Sequence, residues 1–214
     1  LVNAWVIPLT SLAKLFTDLD KIRGVLVECA PLLPGLVPYL PQIVPPLVMN
    51  IHRVVPYAGD LAPYLPPLLK HPAFVATALP KLLRKVEIMA PLIPQVGPKF
   101  AEMDERHFAK LELVLDDLVD QIEELLPYFP IIAPHIVPIS LRADRLFPVV
   151  RYLIPHADKM KDHIGWLIDF ADVEGFEEFL PFIDKLAPYV EEFAPHGPKL
   201  LPYIPKMRGL MPIL

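Results

Sequence analysis

The chain has 214 residues, 54% of them hydrophobic, with a mean hydropathy of +0.42 and 29 prolines against 8 glycines. A formal charge of −5 is the wrong balance for neutralising phosphates, so no nucleic-acid partner is expected, nor attachment to anionic membranes by charge alone. The apolar content excludes a polar disordered linker, and a single cysteine, Cys29, excludes an internal disulfide framework.

Residues 9–29 place Leu12, Leu15, Phe16, Leu19, Ile22 and Leu26 on one face of an amphipathic helix. No basic region precedes an apolar run at the start, as a signal peptide requires, and a first residue Leu1 reads as a piece excised from something larger. The next stretch, 30–44, is "APLLPGLVPYLPQIV". Residues 29–51 carry no Asp, Glu, Lys or Arg and are long enough for a membrane span. The six prolines within that stretch argue against one, because each forfeits a donor and clashes with the preceding turn.

The proline stretches align in sevens: 30–36, 37–43, 62–68, 90–96, 126–132, 133–139, 180–186, 187–193, 194–200 and 201–207. Position 1 is small or aliphatic, 2 is Pro, 3 is Tyr or His, 4 is aliphatic, 5 is Pro or an acid, 6 varies and 7 is aliphatic. A polyproline II helix has period three and would not hold this register, whereas seven residues make nearly two α-helical turns. On a helical wheel positions 1, 4 and 7 share an arc of about 120°, with both proline positions together beside it. Two outcomes follow: long helices bent repeatedly in one direction, or two-turn helices each opened by proline.

Residues 99–126 have neither Pro nor Gly and predict the longest straight helix, up to about 42 Å. Residues 156–180 predict a similar helix interrupted at Gly165 and Gly175. Strand alternation is absent. The expected fold is a single all-α domain of proline-kinked amphipathic helices, as a curved bundle or a short helical solenoid. Proline-heptad blocks 30–98, 126–155 and 180–214 alternate in it with charged helices 9–29, 99–126 and 156–180.

Catalytic signatures are missing. Asp116, Asp117, Asp120, Glu123 and Glu124 form an acidic helix face without the turn glycines of a calcium loop. His156, Asp158, Asp162 and His163 lack the i, i+4 histidine spacing of a helical zinc site. Cys29 has Glu28 beside it and no neighbouring His, and neither Ser11 nor Ser140 sits in a G-x-S-x-G turn. No enzyme, metal site or cofactor is expected. His135, His156 and His196 replace the usual tyrosine at position 3, at the edge of the apolar arc, where an amphipathic tip meets water.

The heptad blocks resemble proline-punctuated tracts of large algal and protist proteins, some of which carry a phox-homology lipid-binding domain. More loosely, they resemble the amphipathic repeats of exchangeable apolipoproteins. The resemblance implies a lipid-facing context, intracellular and peripheral to membranes. The expected function is a non-enzymatic lipid-binding or lipid-carrying module whose apolar groove holds acyl chains. The alternative is an assembly scaffold meeting a helical protein partner or another copy of itself. Leu40, Leu65, Ile183 and Ile204 are the expected buried or lipid-facing aliphatics. Ala62, Ala90, Ala133, Ala187 and Ala194 are the small positions where a groove would need clearance.

Overall fold

A computed structural model describes residue 17 and residues 19–174 and 176–207, so much of segment 9–29 and the end of block 180–214 lie outside it, as do Ser11 and Gly175. Among the described residues every regular element is helical and none is a strand. The fold is all-α.

The proline steps share one construction. Val37–Tyr39, Ala62–Tyr64, Leu126–Tyr128, Ala187–Tyr189, Ala194–His196 and Leu201–Tyr203 are three-residue 3-10 turns, each followed by an α segment. Proline sits in the first two positions, where its missing N–H costs nothing. The next residue closes the turn; the Val190 amide, for example, donates to the Ala187 carbonyl. The third residue opens the helix slightly. Tyr39, Tyr64, Tyr128, Tyr189 and His196 have φ between −97° and −103° with ψ between −7° and 2°. The same opening occurs whether position 5 is proline, as after Tyr39, or Glu191, as after Tyr189, so it belongs to the turn that the position-2 proline starts. The helices therefore neither break at proline nor run as plain α-helix: they alternate the two turn types without interruption.

Alternation also sets register. Phe176, Ile183, Val190, Gly197 and Ile204 follow one another at intervals of seven, and all are buried. A plain α-helix falls about 20° short of two turns per heptad, a drift of about 80° across that span. Tightening one residue in seven from about 100° to the 120° of a 3-10 turn removes the drift. No described proline is buried. The missing donors thus lie on the side that a curved helix turns to solvent.

The chain divides into two compact units, residues 1–122 and 123–214. The first contains helical runs α1 (19–49), α2 (51–69), α3 (72–102) and most of α4 (Glu105–Leu125). The second contains α5 (126–141), α6 (143–170) and α7 (176–207). Two breaks use the same device, a side chain reaching back to a carbonyl in the last turn of the helix it ends. Asn50 donates to the Pro46 carbonyl at 2.8 Å, and Arg142 to the Pro138 carbonyl at 3.0 Å.

Within each unit the chain winds back over itself. Arg53 pairs with Glu87 and Lys81 with Asp116, separations of 34 and 35 residues. In the second unit Arg142 pairs with Asp172 and Arg145 with Glu177, at 30 and 32. Partners ascend together: Ile51–Val54 packs on Val86–Met89, and Ala58–Leu61 on Ile93–Val96. Stacked passes therefore run parallel, as in a solenoid of coils about five heptads long. The 3-10 turns stack in step, those starting at Val55 and Ala62 preceding those at Ala90 and Gly97 by 35 residues.

Two expectations need correction. The helix predicted over 99–126 begins at Glu105, because Met103 turns extended (ψ 139°) and Asp104 caps the new N-terminus. The Asp104 carboxylate accepts the amides of Arg106 at 3.1 Å and His107 at 3.3 Å. Gly165 does not interrupt its helix; it lies within Ile164–Phe170, with open space around it, and the turn comes after Phe170. Arg23–Met49 and Glu105–Leu141 are each long and apolar enough to cross a membrane by length and composition, a test that soluble core helices also pass.

Candidate functional site

Helices α6 and α7 of the second unit line a half-open cavity of about 250 Å³ whose accessible lining is entirely apolar. Helix α7 supplies Ile183, Ala187, Val190, Gly197 and Ile204, all at positions 1 or 4 of their heptads; α6 supplies Leu146, Leu153, Trp166 and Phe170. The strict seven-residue register is what aligns the α7 residues along one wall.

Unequal side chains make the space. Phe170 meets Phe176 edge-on at 5.2 Å and Phe179 at 5.7 Å, a rigid aromatic end to the cavity. Gly197 stands where the other heptads carry larger position-4 groups, and Ala187 is one of the small position-1 residues. The Trp166 ring lies directly on Gly197, so close that a Cβ there would fall 2.3 Å from Cδ2. Trp166 Nε1 is buried without an acceptor, so the wall offers no exposed polar anchor.

Polar groups hold the turn beside the aromatic end. Arg145 donates to the buried Ala171 carbonyl at 2.5 Å and pairs with Glu177, while Arg142 pairs with Asp172. These ion pairs sit outside the cavity and position the two helices rather than a ligand.

Of the nine expected residues, Ile183, Ala187 and Ile204 line this cavity. Ala194 is fully buried on the same helix but does not line it. Ala62 and Ala90 are buried in the first unit, Ala90 in a cluster with Leu83 and Val86, and Ala133 is buried in the second. Leu40 and Leu65 are not buried within the chain, at 42% and 40% exposure. Helix α1 packs inward through position-7 residues Cys29 and Leu36, which leaves positions 1 and 4 of its heptads, Leu40 among them, uncovered.

Sequence reasoning missed Trp166, Phe170 and Phe179. It also missed that tyrosines at position 3 pack into the stack, as Tyr57 does on the Leu83–Ala90 cluster and Tyr64 on Gly97. One signal was visible: Gly197 breaks the aliphatic consensus at position 4, in the heptad where a bulky ring needs room.

Asp116 accepts from Lys81 at 2.8 Å and Arg84 at 2.7 Å, and the Lys81 bond chiefly holds its carboxyl below the usual range. Burial, then Glu28, pushes the Cys29 thiol up, away from the reactive thiolate. Among the described residues no three His, Cys, Asp or Glu side chains converge on a metal position. No family model, curated protein or solved structure matches this chain.

Proposed function

We propose that the protein binds lipid, taking an acyl chain into the α6–α7 cavity. The observation that carries this reading is an apolar space of about 250 Å³ within a stacked core. Cavities of roughly 150 Å³ already stay dry and accept small hydrocarbons. A flexible chain of methylenes suits a narrow wall of repeated aliphatic positions, and the lack of a polar anchor leaves any headgroup outside. Such a module works at the periphery of membranes or carries lipid between them. The scaffold alternative draws on a different surface, the exposed face of α1.

The test is solvent extraction of purified protein followed by lipid mass spectrometry, with Ala187→Trp as the blocking variant. Near-stoichiometric lipid is expected in the parent, and little in Ala187→Trp while its helical spectrum persists. Ala62→Trp and Ala90→Trp, in the other unit, should overpack and destabilise by about 1–3 kcal/mol without lowering lipid content. Protein that is lipid-free and takes up no fatty acid would reject the proposal.

A further inference from the structure

Two chain breaks of the first unit meet at one corner, Lys70–His71 before α3 and Met103–Asp104 before α4. They are fastened differently. At the second, the Asp104 carboxylate accepts the amides of Arg106 and His107. It also takes the Arg106 guanidinium at 2.8 Å and lies 2.6 Å from His107 Nδ1. At the first, His71 precedes Pro72, which disfavours the helical region for it, and its backbone stands at φ −119° and ψ 64°. Its side chain makes no capping hydrogen bond to α3.

The imidazole instead seats on a ring of α4. Its centroid is 4.3 Å from that of Phe108, and Phe74 of α3 meets the same Phe108 at 4.8 Å. Phe108 is only 2% exposed. The start of α3 is therefore held to α4 through three rings, one of which can take a proton.

The charges around that ring divide. Glu105 and Asp104, at the start of α4, favour the protonated imidazole, whereas Lys70 disfavours it. Burial outweighs all three and favours the neutral ring. Other charges on the packed elements are engaged elsewhere or face water. Arg106 is taken up by Asp104, Lys99 pairs with Glu102 at 2.7 Å, and Lys81 of α3 pairs with Asp116. Residues Leu40–Met49, which pack on α3, carry no charge. Arg23 and Glu28, on the segment packed against Leu65–Leu69, are exposed.

We propose that Lys70–His71 is an acid-operated hinge: a proton on His71 unseats its ring from Phe108 and frees the first turns of α3, while the Asp104 cap keeps α4 in place. The seated ring is the harder one to protonate, so the open form gains on the closed one as pH falls below about 6.5. At pH 5.5 that gain is at most about tenfold, the ratio by which a free imidazole favours its cation there. Asp104 stays ionised at that pH, because Arg106 and His107 hold its carboxyl well below the usual range. The hinge lies in the first unit and does not rest on the lipid reading.

The experiment is hydrogen–deuterium exchange of the full chain at pH 7.5 and 5.5, corrected for the intrinsic pH dependence of exchange. In the parent, protection of residues 75–78 should fall severalfold at pH 5.5, and that of residues 108–115 should hold. His71→Phe keeps a ring on Phe108 but takes no proton, so its two profiles should coincide. Should that variant lose its helical spectrum, His71→Leu replaces it. Equal protection of residues 75–78 at both pH values in the parent overturns the proposal. Loosening that persists in the variant also overturns it, since the proton then acts through another group, His107 being the nearest. Simultaneous loosening of residues 108–115 overturns it as well, because the first unit then opens as a whole rather than at the hinge.

Discussion

Replacing Gly197 with alanine tests whether the ring of Trp166 dictates that glycine. A Cβ built there lies 2.3, 2.5 and 2.7 Å from Cδ2, Cε2 and Cγ of the indole, distances that real side chains do not tolerate. The indole cannot swing away cheaply, because Phe170 stands 6.0 Å from it and its Nε1 is already buried. Overpacking of this kind costs about 1–3 kcal/mol. Against it stands the helix-propensity gain of alanine over glycine, about 0.8–1 kcal/mol. The net expectation is a loss of about 0–2 kcal/mol, or a fall in Tm of up to roughly 8 °C for a chain of this size. Gly165→Ala is the control: its Cβ meets nothing within 4 Å, so propensity should act alone and raise stability slightly. Urea titrations of the two variants, read as midpoints at constant slope, separate the terms. Equal stability of Gly197→Ala and Gly165→Ala would refute the argument that the ring, rather than backbone freedom, requires the glycine.

Ile204→Asp should lose about 3 kcal/mol or more in urea denaturation, since an unpaired carboxylate enters the cavity wall, whereas exposed Leu40→Asp should change stability by no more than about 0.5 kcal/mol. Arg145→Ala should lower the urea midpoint by the equivalent of about 1–2 kcal/mol, because the buried Ala171 carbonyl loses its donor. Thermal melts from pH 7 to 3 should fall in two stages. Burial lowers the pKa of His71, so the unfolded chain takes up that proton first and stability declines as pH drops below about 6.5. The bonds from Arg106 and His107 hold Asp104 below the usual carboxylate range, as Arg53 does for Glu87; the stability these pairs add is present above about pH 4 and lost as pH falls through their folded values. A melt flat down to pH 3 would contradict both stages.

The helical character of the proline blocks was legible because a seven-residue period is incompatible with polyproline II, and the wheel grouped both proline positions on one side, beside the apolar arc. The mechanism was not. That Tyr39 or Tyr189 would relax near φ −100° and keep the helix continuous depends on backbone freedom that composition does not encode. Coil length was hidden for a related reason. Arg53 and Glu87 meet across 34 residues, and nothing local to either residue announces the other. Of the cavity, the α7 wall was readable as positions 1 and 4. The α6 wall was not, because Trp166 and Phe170 come from a segment without the repeat. Leu40 and Leu65 show the limit most clearly: both hold the heptad position of buried Ile183 and Ile204, yet both are exposed.

The alternation of turn types makes chain length in the helices a quantised variable. Deleting a single residue between Ala187 and Ala194 would rotate every later side chain by about 100° and carry Gly197 and Ile204 out of the wall. Insertion of seven residues keeps the face and the turn spacing but lengthens one coil, so that pairs such as Arg53 with Glu87 no longer meet. Only about 33 to 35 residues, one full circuit by the spacing of stacked turns in the two units, preserves face and pairing at once. Variation in length is therefore tolerated at Asn50, Lys70–His71 and residues 171–174, where helices end, and inside the helices it is confined to whole coils.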